Sequence, residues 1–162
     1  MAVAGALTAA ALDEVAEVIE PGMTPLQLDA IADQVIRDGG GRPNFIGVPG
    51  HLGPFQHATC ISIDDEVVHG IPDERVIKEG QIVSVDCGAD VDGWNGDSAR
   101  TFLIGDVPEA ARRLSEVTRA GLIAGIRASI PGNTLEDVAG AIEDVGLAAG
   151  YGIVRGYVGH GI

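Results

Sequence analysis

Lysine is almost missing from this chain. Lys78 stands alone beside nine arginines, while acidic residues number 24 and the net charge is −14. A surface this acidic excludes nucleic acid and anionic membrane as partners. The bias toward Arg, Ala and Gly fits either a GC-rich coding sequence or a salt-adapted surface. Cysteine is scarce too: Cys60 and Cys87 are the whole supply. Two thiols define neither a disulfide framework nor a zinc knuckle, and they suit a reducing compartment. No apolar run approaches the roughly 18 residues of a membrane span. The Ala-rich start lacks a basic flank and runs straight into Asp13-Glu14, so it reads as a first helix. A Gly-x-Ser-x-Gly elbow, a P-loop and a dinucleotide fingerprint are all missing. What remains is a folded chain of 162 residues with 46% apolar content, long enough for one domain with a real core.

Two aspartates dominate what is present. Asp92-Gly93 is a two-residue hairpin turn signal between β-rich runs. Counting back from it pairs Val91 with Trp94, Asp90 with Asn95, Ala89 with Gly96 and Gly88 with Asp97. Side chains alternate along a strand, so Asp86 and Asp97 share a face as diagonal neighbours. Adjacent carboxylates repel. A divalent metal, a salt bridge to Arg100 or plain exposure to solvent would each relieve that. A single bulge would move Asp97 to the other face.

Around the hairpin, a helix is expected up to about Glu20, stopped by Pro21-Gly22. A second is capped by Thr24 with Pro25 at its first position, and ends at Gly39-Gly40-Gly41. Arg42 to Gln56 reads as a long Gly/Pro loop, with His51 and His57 facing solvent. Strands are expected over Ala58–Ile63 and Glu66–Gly70. Helices follow over Pro108–Ser129 and Leu135–Ala149, then a strand over Tyr151–Val158. Pro21-Gly22-Met23-Thr24 recurs as Pro131-Gly132-Asn133-Thr134. Leu28, Ala32, Val35 and Gly40 meet Val138, Ile142, Val145 and Gly150 at the same offset, which suggests pseudo-repeats over about 1–105 and 106–162. The layout implies an α/β (α+β) protein in one domain, 1–162. Its second copy stops early, and completing it would take roughly 100 more residues.

Two further residues carry chemistry. His69 stands before a Gly-Ile-Pro turn, where it could meet a substrate carbonyl or a metal. His160 lies between two glycines that leave room around its imidazole. Asp86, Asp97 and His160 form a mixed oxygen and nitrogen donor set, which suits Mn, Fe, Co or Zn better than a thiolate site does.

Taken together, Cys60 to Pro72, Gly80 to Asp86, Asp92 to Phe102 and Tyr157 to Ile162 resemble type I methionine aminopeptidase. The stretch Val67-Val68-His69-Gly70-Ile71-Pro72 is the part most specific to that enzyme. The resemblance implies the pita-bread fold, with its first α/β half complete and its second truncated. It also implies a site for two divalent metal ions, with Asp86 chelating one, Asp97 bridging both and His160 binding the second. Two glutamate ligands would lie beyond Ile162. His69 would hydrogen-bond the substrate amide, and Phe55 and Cys60 would line the methionine pocket. The implied reaction is hydrolytic removal of the initiator methionine from nascent polypeptides, at the ribosome, by a cytoplasmic monomer. Residues 1–162 alone would be inactive. An Xaa-Pro dipeptidase of the same fold and a non-catalytic pita-bread binding protein are the alternatives. Asn95, Asp64, Gln56 and a longer 50–54 loop depart from the family pattern and bear on substrate handling.

Overall fold

The computed structural model describes residues 1–50, 53–157 and 159–160. They fall into two compact units that divide between Val107 and Pro108.

In the first unit, alanine-rich α1 (Ala2–Val18) buries Ala4, Thr8, Ala11, Leu12 and Val15 along one stripe. Small residues on that stripe let the helix lie close to the sheet. A Cβ on Gly96 would come within 2.5–2.7 Å of the Ala4 and Gly5 backbone. The buried Thr8 hydroxyl is satisfied by donating to the Ala4 carbonyl at 3.0 Å. Pro21-Gly22 breaks the chain. Helix α2 (Pro25–Asp38) then starts with a reciprocal cap between Thr24 and Gln27, and buries Leu28, Ala32 and Ile36.

Both helices cover one face of a four-stranded antiparallel sheet. Its middle strand is β5 (Ile82–Val91). Along one side runs β6 (Trp94–Leu103); along the other lie β4 (Thr59–Ile63) and the two-residue β1 (Arg42–Pro43). Val83, Val85, Cys87 and Ala89 alternate toward the helices and are fully buried. Each such valine contributes up to about 2 kcal/mol by its burial. The loop expected over residues 42–56 thus contains a sheet strand, and also the small pair β2 (Pro49–Gly50) and β3 (Gly53–Pro54). His51 lies outside the described residues.

Two expected strands do not form as such. Glu66–Gly70 is irregular. The Glu66 carboxylate turns back to accept from Ile63 N–H at 2.9 Å, and Asp64 adopts φ +56°, which ends β4. Val67 and Val68 gain no face to bury and remain exposed. Among the described residues of 151–157 there is also no strand, and Val158 lies outside them.

In the second unit, α3 (Glu109–Ala128) buries Val117, Gly121 and Gly125. The bare Gly125 lets α4 (Leu135–Ala148) bring Ile142 close: a Cβ there would stand 2.8 Å from its side chain. The cap of α4 repeats that of α2, with Thr134 and Asp137 exchanging hydrogen bonds. The glycines before and after the two capped helices also match, with φ +102° and +80° at Gly22 and Gly40, +98° and +82° at Gly132 and Gly150.

Candidate metal centre

The Asp92-Gly93 turn has φ +53° and +79°, the left-handed pair that a tight hairpin turn demands. The Asp90 carboxylate accepts from Gly93 N–H at 3.2 Å and braces it. The register that follows pairs Gly88 with Asp97 and Asp86 with Ala99, with no bulge. Asp86 and Asp97 therefore lie on one face, opposite the helices.

Around the aspartates that face carries further polar groups. Ser84 and Thr101 share a hydroxyl hydrogen bond of 2.8 Å across the strands. The Asn44 amide donates to Asn95 Oδ1 at 3.1 Å, and its side chain lies directly over Gly88, filling the space a Cβ would need. Asn44 Oδ1 is buried and has no hydrogen-bond partner among the described residues. Arg100 belongs to the other face and pairs with Asp13 of α1 at 2.9 Å, so its guanidinium is engaged away from the aspartates.

The carboxylate pair is felt by both thiols. Cys60 lies opposite Asp86 in the register. Burial pushes its thiol up to about 12, and the charges of Asp86, Asp29 and Asp97 add to that. Burial, then Asp86 and Asp97, push Cys87 to about 12 as well. Both are neutral thiols at neutral pH, and neither is a nucleophile.

Phe55 sits at the end of the loop, with its ring edge-on to His57 at 5.6 Å between centroids. His57 is not the solvent-facing residue expected of this loop. Its Nδ1 lies 3.3 Å from the Asp29 carboxylate, and its side chain is only 21% exposed. His69 takes φ +60°, a left-handed conformation rare outside glycine. The next residue holds it there. Gly70 O accepts from Ile61 N–H at 2.9 Å, and Gly70 N–H donates to the Ser62 hydroxyl at 3.1 Å. A Cβ on Gly70 would collide with the Ile61 carbonyl. Backbone strain of this kind is characteristic of working residues.

His160 belongs to the second unit and is exposed. Among the described residues, no three His, Cys, Asp or Glu side chains are grouped closely enough to hold a metal ion. The hairpin thus brings together two of the three expected ligands. The residues that fit a cation on this face are Asp86 and Asp97, hard oxygen donors, beside an amide oxygen that lacks a partner. Asn44, Ser62 and Asp29 gave no signal in the sequence. Each reads there as an ordinary loop, strand or helix-surface residue.

Comparison with known proteins extends this picture. The chain is 48% identical to methionine aminopeptidase 1 of Mycobacterium tuberculosis (strain CDC 1551 / Oshkosh) over its full length, covering 62% of that protein. It is 41% identical to methionine aminopeptidase of Clostridium acetobutylicum over 98% of the chain and 62% of that relative. The crystal structure of methionine aminopeptidase from Thermotoga maritima superposes with a TM-score of 0.94 at 39% identity, over 100% of this chain and 64% of that one. The chain thus spans about 62% of the length of the curated relatives it matches. That backbone match gives the first unit's sheet and helices the pita-bread architecture. The model for metallopeptidase family M24 matches residues 1–162, the whole length of the chain: the chain belongs to metallopeptidase family M24.

Proposed function

We propose that this chain is the part of a methionine aminopeptidase that binds metal through the Asp86/Asp97 hairpin and supplies one wall of the methionine pocket. The observation that carries the reading is the unbroken register placing Asp86 and Asp97 on one polar face. Identity of 48% to a methionine aminopeptidase directs it to that substrate. His160 is the third ligand, and the site takes two divalent ions drawn from Co, Mn, Fe or Zn, since carboxylate and imidazole accept all four. A bound divalent ion supplies Lewis acidity for polarising the scissile carbonyl.

The chain's own residues do the rest. His69, held left-handed by the Gly70 clamp, accepts a hydrogen bond from the substrate amide N–H next to the scissile bond. Phe55 and Cys60 line the side-chain pocket. Because Cys60 stays a neutral thiol, that lining is apolar and polarizable and suits a thioether. The substrates are nascent polypeptides with methionine first, met at the ribosome in the cytoplasm. The enzyme works as a monomer.

The test is peptide cleavage by the natural gene product with added Mn2+ or Co2+. The reading expects methionine to be released from methionyl-alanyl peptides, and Asp97→Asn to lower turnover by at least about a hundredfold. Residues 1–162 alone are expected to show no turnover. Preference for a prolyl second residue would point to an Xaa-Pro dipeptidase instead. Turnover indifferent to chelators would overturn the metal assignment.

A further inference from the structure

Asp29 lies on α2, one turn from the buried Pro25 and Ala32, and its side chain is only 13% exposed. It is spent on a single segment, residues 57–59. Its Oδ1 accepts from the Thr59 backbone N–H at 2.8 Å and from the Thr59 hydroxyl at 2.7 Å. Its Oδ2 faces His57 Nδ1 at 3.3 Å. Thr59 is fully buried and begins β4, directly before Cys60. His57 in turn meets the Phe55 ring edge-on, with 70° between the planes. One carboxylate thus ties down residues on both sides of Ala58, between Phe55 and Cys60.

An aspartate–histidine pair three residues from a cysteine has the outline of a nucleophilic triad. The thiol rules that out, because burial keeps Cys60 protonated. What the network does instead is mechanical. Strand β4 is fixed at Thr59 by its pairing with Cys87, whereas Phe55 lies outside that sheet. Its backbone pairs only with the small β2–β3 hairpin, donating to Val48 O and accepting from Gly47 N–H, both at 2.8 Å. Among the described residues, the Asp29–His57 contact is the one that links α2 to the Phe55 ring itself.

We propose that Asp29 and His57 are positioning residues for substrate selection: Asp29 anchors β4 at Thr59, and His57 holds Phe55 at the angle that shapes the side-chain pocket. The proposal rests on the reading of Phe55 and Cys60 as pocket wall. It assigns selectivity to a polar pair that never touches the substrate. A histidine is suited to this, since one edge of its ring takes the carboxylate and the ring itself packs on an aromatic.

The experiment uses the 162-residue chain labelled at its three phenylalanine rings, observed by NMR, with L-methioninol as the probe. In His57→Gln the Phe55 ring signals shift and broaden while those of Phe102, packed against the core, hold still. In the same variant Thr59 amide exchange is unchanged, because its bond to Asp29 survives. In Asp29→Asn that exchange accelerates about tenfold, as expected from weakening one hydrogen bond to a charged group. L-methioninol binds His57→Gln about tenfold more weakly than the unaltered chain. Phe55 signals unmoved by His57→Gln would overturn the proposal, and so would equal affinity for the probe. If the unaltered chain shows the Phe55 response but no probe binding, the pocket reading fails. The selectivity role then falls with it, while the anchor stands as a structural one.

Discussion

Cys60 and Asp86 face each other across β4 and β5, and the pair shows how a single neighbour sets a residue's chemistry. Burial first, and the nearby carboxylates second, keep Cys60 and Cys87 protonated up to about pH 12. Iodoacetamide at pH 8 is therefore expected to leave both thiols unlabelled in the folded chain, and to label both in urea. Mass spectrometry reads the outcome. The same shift has a consequence for stability. Between about pH 9 and about pH 12 the unfolded chain gives up thiol protons that the folded chain retains. Folding stability must then fall with rising pH across that window, and is intact below it. Urea midpoints measured from pH 8 to pH 11 should decline, and decline less when both cysteines are replaced by alanine. Ser62 offers a second case. Ser62→Ala removes the hydroxyl that accepts from Gly70 N–H, at a cost of about 1 kcal/mol, and Gly70 amide exchange should speed up while the β5–β6 ladder is unaffected. The shared face of Asp86 and Asp97 was readable from residue alternation, since it needed only a period of two and a turn. The burial of Asp29 and His57 was not. It depends on α2 passing beside residues 57–59, a contact about 30 positions apart in sequence for which no local pattern exists.

At the scale of elements, caps and turns carried most of the information. Thr24 and Pro25 start α2 as their types dictate, and Asp92-Gly93 makes the turn that sets ten residue pairs in register. Thr24→Ala should lower stability by about 1 kcal/mol, read as a shift in the urea midpoint with unchanged slope. Gly96 is a stricter requirement. Any Cβ there meets the α1 backbone, so Gly96→Val should push α1 off the sheet and cost several times the cap loss. Where local propensity misled, tertiary context had removed the partner. Val67 and Val68 are strong strand formers, but the Glu66 carboxylate and the Gly70 clamp claim the hydrogen bonds a strand would use. Tyr151 to Tyr157 has strand-like composition and forms no strand.

Across the whole molecule, 24 acidic residues against ten basic ones leave a negative field that attracts cations before any specific site is formed. No helix among the described residues is long and apolar enough to cross a membrane. Family membership and architecture follow from the full-length match and the backbone likeness. The cation site we propose is the pair Asp86 and Asp97. A ligand that binds only the folded state stabilises it, by about 2.7 kcal/mol at a hundred times its dissociation constant. The direct measurement is therefore the thermal midpoint of the 162-residue chain against Mn2+ concentration, for the unaltered chain and for Asp86→Asn with Asp97→Asn. Replacing two neighbouring like charges by amides should leave the apo fold intact, as circular dichroism would verify. A saturable rise in midpoint is expected for the unaltered chain and none for the double variant. An equal rise in both would mean that the cation binds elsewhere, and would overturn the assignment to Asp86 and Asp97.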